Sequence, residues 1–174
     1  MLPALRKSFD RMEASRFRIL QLAESLSEPR AHVSPGPGEW SVVQVVEHMV
    51  TIDRMVLKFV QKQLARPDLR PAGIATWMRA TLVTLALRYR KKIKAPAVLP
   101  PPTGSRSLAE WRDEWEASRR QWRETLETVP EKLRRKELFK HPLAGYLTLG
   151  QTLDFITEHT LHHVPQVKRL AQRA

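Results

Sequence analysis

The sequence predicts an all-α fold, a four-helix bundle with long crossover connections plus one shorter helix. Three observations carry that prediction. Apolar residues recur at helical spacing in every substantial segment, and nothing long alternates with a period of two. Capping boxes mark three helix starts. The stretches at 27–39 and 94–106 are turn-rich and longer than the tight links of a simple up-and-down bundle, so at least one long crossover is expected. At 174 residues the chain suits one well-cored domain, spanning 1–174, and is short for two.

The first helix is expected from about Leu2 to Leu26, with its stripe through Leu5, Phe9, Met12, Ile19, Ala23 and Leu26. The second begins at WSVVQ: Ser41 is the N-cap and Gln44 completes a capping box. Trp40 before the cap and Val45 inside can form a hydrophobic staple. This helix continues to about Leu64, its stripe passing through Val45, Met49, Ile52, Val56 and Phe59. The break RPDLRPAG follows, and then a segment, 74–93, whose Ile74, Met78, Leu82, Leu85 and Tyr89 are expected to face a core. A further helix starts at Ser107, with Glu110 in capping relation. Its Leu108, Trp115, Trp122 and Val129 recur every seven residues, which with Trp111 reads as core. The stretch 130–147 is long for a linker, and long ordered connections often carry function. The last helix starts at Thr148, capped with Gln151, and its Leu149, Ile156, His163 and Leu170 again recur every seven residues.

Composition excludes several classes. With no cysteine there is no disulfide framework, no thiolate-held zinc and no cysteine nucleophile. Any metal must be held by His, Asp or Glu, and any thiol must come with the substrate. The longest apolar run in the middle, LVTLAL at 82–87, is too short to span a bilayer. The N-terminal stretch has no signal-peptide pattern, so a cytoplasmic protein without membrane association is expected. The net charge of +12 favours acidic partners. The bases are spread through RYRKKIK, EASRRQWR and EKLRRK, however, which favours solvated helix faces over a nucleic-acid surface.

The last helix contains ITEHTLHHVPQV, with three of the six histidines. His163 takes its place in the apolar series and His159 lies one turn earlier on the same face, whereas His162 turns about 100° away. In the second helix His48 sits between Val45 and Ile52 on the apolar face. A neutral imidazole has one donor and one acceptor nitrogen, and burying several without partners is costly. A divalent metal resolves this by binding one nitrogen of each ring, the other N–H going to a carboxylate, carbonyl or water. The bland alternative is a set of satisfied core histidines, and the pattern supports a shared site only if the two helices are neighbours. The order H-T-L-H-H lacks the glutamate of an HExxH zinc protease.

Three stretches then carry a resemblance. PGEWSVVQVVEHM (37–49), FKHPLAGYLTLGQTLDFI (139–156) and HTLHHVPQVKRL (159–170) resemble the W-S-x-x-x-x-x-x-H, H-P-x-x-G-x-L-T and H-x-x-x-H-x-x-Q segments of the DinB/YfiT-like superfamily of metalloenzymes. The resemblance spans nearly the whole chain. It implies a four-helix bundle, often dimeric, with an open three-histidine metal site whose ligands here would be His48, His159 and His163. It also implies a small-molecule substrate, in some members with a low-molecular-weight thiol cosubstrate, and a homodimer is expected. Pro165 departs in detail: it leaves the Leu161 carbonyl without a helical donor and predicts a kink just after His163.

An open imidazole-held centre lowers the pKa of bound water toward about 7, which suits a hydrolase, or binds a substrate thiol as thiolate, which suits a thiol S-transferase. Zinc, nickel and iron(II) all accept imidazole. Gln166 and Gln44, each about one turn from a ligand, are expected to support the ligands. His141, in the connection before the last helix, is a candidate acid, base or substrate contact. Glu47 and Glu158 are read as surface or helix-flank charge, and His32 has no motif support. The rival function is a non-catalytic basic bundle binding nucleic acid or another anion, and a further rival is a structural bundle whose histidines bond one another.

Overall fold

The computed structural model describes residues 1–89 and 100–173. Four long helices form the bundle: α1 (Pro3–Ala23), α3 (Val42–Leu64), α5 (Leu108–Glu127) and α6 (Leu149–Arg173). A one-turn helix α2 (Glu28–Ala31) and a shorter helix α4 (Ile74–Arg88) lie in the connections. Between α5 and α6 comes a 3-10 turn, Glu131–Leu133, and then an antiparallel hairpin of β1 (Glu137–His141) and β2 (Gly145–Thr148). The predicted last residues of the 74–93 helix, and most of the basic run 88–94, lie outside the described residues.

The helix starts follow their capping chemistry. In α3 and α5 the Ser41 and Ser107 hydroxyls accept from the backbone N–H of Gln44 and Glu110, whose side chains accept in return from the cap backbone. At α6, Thr148 and Gln151 make the same reciprocal pair. Each box satisfies two of the orphan N–H groups that a helix start exposes.

Two core clusters set the topology. One joins Leu5, Phe9 and Met12 of α1 to Val56 and Val60 of α3, Trp122 and Leu126 of α5, and Leu149 and Leu153 of α6. The other joins Ile19 and Ala23 to Val42 and Val46, Leu108 and Trp115, and Val164 and Val167. The early part of α1 thus meets the early part of α6 and the late parts of α3 and α5. So α1 and α6 run one way and α3 and α5 the other. Two consecutive long helices that run in the same direction need a crossover, and residues 65–107 provide it. The predicted long crossover is this one.

One expectation about the connections is sharpened and one is corrected. The stretch 130–147, expected as a long ordered connection, is ordered as a β-hairpin that the sequence does not announce, closed by Gly145 in the left-handed region at φ 69°. Its strands are too short for period-two patterning to stand out. In α4 the predicted face is the wrong one: Ile74, Met78, Leu82, Leu85 and Tyr89 are all exposed, while Thr76, Ala80 and Leu87 are buried. The helix is apolar on most sides, so its pattern does not distinguish inside from outside. Its inner face packs on α6 and the hairpin, where the Thr76 hydroxyl donates to Glu137 at 2.7 Å.

The interior also contains an ionic network that periodicity does not reveal. Arg119 of α5 lies 3.2 Å from Asp53 of α3 and 3.3 Å from Glu13 of α1, and Glu13 also takes Arg16. Asp53 and Arg119 are buried, and burial pushes the Asp53 carboxyl up and the Arg119 guanidinium down from their ordinary values. Through Glu13, Asp53 and Arg119 the network ties α1, α3 and α5 together.

Candidate metal centre

The inner faces of α3 and α6 bring three imidazoles together. One ligand nitrogen of each of His48, His159 and His163 lies within 4.8 Å of the other two, close enough for a single ion to take all three. The ring centroids are 5.4 Å apart for His48–His159 and His48–His163, and 4.9 Å for His159–His163. The i, i+4 spacing on α6 and the antiparallel packing of α3 against it produce this convergence. The adjacency on which a shared site depends is present: α3 packs on α6.

Proline does not undo the arrangement. α6 runs on through Pro165 to Arg173, although Pro165 cannot donate to the Leu161 carbonyl.

The donor chemistry suits a cation. His163 donates from Nδ1 to Gln166 Oε1 at 2.8 Å, which leaves Nε2 with its lone pair free. Among the described residues, none of the three rings is hydrogen-bonded to another. Burial, helped by His163, pulls the His48 pKa down to about 4. Burial, then His163 and His48, hold His159 well below its ordinary value. Burial lowers His163 too, against the raising effect of Gln166. All three are therefore neutral at pH 7, the form in which imidazole is a ligand.

The rings form one wall of a cavity of about 760 Å³, which opens to solvent. Trp40 lies 5.0 Å from His48, so the residue expected to staple the helix start also packs on a candidate ligand. Phe155 stacks on His159 at 5.9 Å, and Phe59 and Phe139 continue the aromatic surface. Val83 and Leu87 of α4 close the far side. The α4 contribution is not legible in the sequence, because apolar residues cover most of that helix's circumference.

His141 ends β1 at the cavity wall, buried, with its ring 4.6 Å from Phe155. Its Nδ1 accepts from the backbone N–H groups of Leu143 at 3.1 Å and Ala144 at 3.0 Å. A nitrogen that accepts two hydrogen bonds carries no proton, so in the neutral ring Nε2 is the N–H. Burial lowers the His141 pKa to about 4. At neutral pH the residue is therefore a fixed hydrogen-bond donor, not a ready base.

Other candidates lie elsewhere. Gln44 does not support His48: its Oε1 accepts from Ser41 N–H, and its Nε2 donates to the Pro102 carbonyl at 3.1 Å. The cap takes one end of the amide and the loop before α5 takes the other. His162 is not one of the three converging rings, although it lines the same cavity with its ring 5.4 Å from His163; its Nδ1 donates to the Leu87 carbonyl at 3.1 Å, tying α6 to α4. His32 pairs with Glu28 on the surface. Glu47 and Glu158 are not surface charge. Glu47 is buried and accepts from Thr103 N–H at 3.0 Å and Gly104 N–H at 2.7 Å, anchoring the loop before α5. Glu158 is buried and takes Arg11 at 3.1 Å and Arg88 at 2.8 Å, fastening α1 and the end of α4 to α6. Each points off the ligand face as predicted, but toward protein and not solvent.

Comparison with known proteins agrees with this picture. The sequence profile of the DinB superfamily matches residues 11–167. The uncharacterized protein YuaE of Bacillus subtilis (strain 168) is 24% identical over 150 residues, covering 86% of this chain and 88% of that protein. Among solved structures, YfiT from Bacillus subtilis superposes with a TM-score of 0.63 at 18% identity, over 99% of this chain and 89% of YfiT. That protein is described as a probable metal-dependent hydrolase with an unusual four-helix bundle topology.

Proposed function

The chain belongs to the DinB superfamily, and from that premise we propose a divalent-metal-dependent enzyme, hydrolytic in its first reading, acting on a small molecule at this cavity. The convergence of His48, His159 and His163 within 4.8 Å carries the proposal. Those three residues would hold the ion, with Gln166 fixing the His163 ring. An ion held by three imidazoles with an open position acidifies a bound water and polarises a carbonyl group. Zinc, nickel and iron(II) all fit the donor set. The chain's own residues do the rest. His141 presents an Nε2–H to the substrate, where a fixed neutral donor can hold a carbonyl oxygen as negative charge develops on it. Phe59, Phe139 and Phe155 exclude water from the inner end.

A thiol S-transferase is the second reading, favoured by one feature. Arg169 lines the cavity, on the Gln166 side of the histidines, and makes no ion pair among the described residues. It is placed to take an anionic group on an incoming thiol cosubstrate. A non-catalytic anion-binding module gains less support, since ten arginines pair with carboxylates among the described residues.

A panel of esters and amides, beside thiols with electrophiles, tests the proposal. Hydrolysis that is lost on chelation and restored by one divalent metal supports the first reading, and metal-dependent thiol conjugation supports the second. Activity that persists in metal-free His48→Ala protein overturns both. A homodimer is proposed as well. The exposed α4 face, Ile74, Trp77, Met78, Leu82 and Leu85, is an apolar stripe on one helix. A stripe of this kind can pair with its own copy about a twofold axis.

A further inference from the structure

The cavity has a polar end and an apolar end, and two helices agree on the direction. Along α6 the wall residues run Phe155, His159, His163, Gln166, Arg169. At the helical rise this series spans about 21 Å, with the histidines in the middle. Along α3, in the opposite chain direction, the order is Phe59, Val56, Ile52, His48, over about 16 Å. The hairpin supplies Phe139 beside Phe59 and Phe155, with ring centroids 5.6 and 6.1 Å away. Val83 and Leu87 of α4 complete the inner chamber. From the histidines inward, the wall positions on both helices are apolar.

The cavity volume of about 760 Å³ lies within the range of about 300–1,000 Å³ typical of small-molecule sites. A carbonyl group at the histidines would lie beside the His141 donor. Whatever is attached on its inner side must then occupy the aromatic chamber, where the helices offer a polar substituent no partner for its lost hydration and the hairpin adds only the exposed Lys140. An extended hydrocarbon loses nothing there and removes apolar surface from water.

We propose that the substrates are medium-chain acyl compounds, whose hydrocarbon arm fills the Phe59–Phe139–Phe155 chamber while the carbonyl group lies at the histidines and the remainder leaves past Gln166 and Arg169. This rests on the proposed enzymatic reading for the reaction but not for the binding. The chamber is built from side chains that need no metal, so metal-free protein already has it.

The test is displacement of a dansyl-labelled undecanoate from metal-free protein by acetate, hexanoate, octanoate and decanoate. Affinity is expected to rise by about fourfold per added methylene across the series, the value for burying one such group. Val83→Trp and Ile52→Trp, which fill the chamber from α4 and α3, are expected to weaken decanoate binding at least about tenfold in protein whose helical circular dichroism shows it folded. Equal binding of acetate and decanoate overturns the proposal. So does undiminished decanoate binding in whichever variant remains folded. If neither folds, the chain-length series decides alone. A zinc titration of the same preparation separates the two readings. Zinc binding with a flat chain-length series removes the acyl substrate and leaves the metalloenzyme, and the converse result removes the metalloenzyme and leaves the acyl site.

Discussion

His141 shows how a backbone turn can decide what a side chain does. Its Nδ1 is taken by the N–H groups of Leu143 and Ala144, so the ring's one proton in the neutral form sits on Nε2. Nitrogen-15 spectra of the metal-free protein should show that tautomer, with a titration midpoint near pH 4. A midpoint near the ordinary 6.5, or a proton on Nδ1, contradicts the assignment. The sign of the linked stability follows. Because the folded pKa lies below the unfolded one, stability is full above pH 6.5 and falls as pH drops toward 4, where the unfolded chain takes up the proton first. The loss is at most about 3 kcal/mol. His141→Ala leaves two N–H donors without their acceptor and should destabilise the fold by about 1–3 kcal/mol. In His141→Asn the amide oxygen can replace Nδ1, so the fold should recover while the Nε2–H is lost. The motif H-P-x-x-G marks this residue in the sequence, but its tautomer depends on N–H groups that only the closed hairpin brings to it. Gln44 shows the reverse case: spacing puts it one turn from His48, but the cap takes its Oε1 and the Pro102 carbonyl its Nε2.

The elements differ in how openly the sequence declares them. The starts of α3, α5 and α6 are legible to the residue, because a capping box is a local device with its own hydrogen bonds. The stripes of α1 and α5 are legible because one face of each meets core and the other meets water. α4 is not, since apolar residues cover most of its circumference and only its packing on α6 selects the inner face. The Asp53–Arg119 pair is hidden for a different reason: charged residues on a stripe read as interruptions until three helices bring them together. Its partners are buried, so removing one is expected to cost more than removing both. Arg119→Leu should lower stability by about 3–5 kcal/mol by leaving Asp53 unpaired. Adding Asp53→Leu should recover part of that loss, as measured by urea denaturation. Additive losses would show that the pair is not coupled.

At the scale of the whole molecule, the bundle places one helix from each direction side by side. A candidate ligand pair on α6 thereby meets a third histidine more than a hundred residues earlier, on α3. Helical phase predicts which histidines face inward, but it does not say which helices touch. The resemblance to a known family supplied that step, and the packing of α3 on α6 now accounts for it physically. The oligomeric state is a further property at this scale. Sedimentation of wild type is expected to give a homodimer, and Trp77→Glu with Leu82→Glu a folded monomer. A wild type that is monomeric at high concentration contradicts the dimer.

The central claim is that His48, His159 and His163 hold one divalent ion. Metal analysis of protein purified without a histidine tag, at neutral pH, tests it most directly when wild type is compared with His48→Ala and His163→Ala. The predicted result is about one equivalent of zinc, nickel or iron in the wild type and a loss of at least tenfold in affinity in each variant, in line with a site that needs all three ligands. Wild-type protein that binds no divalent metal, or variants that bind it as tightly as wild type, would contradict the claim.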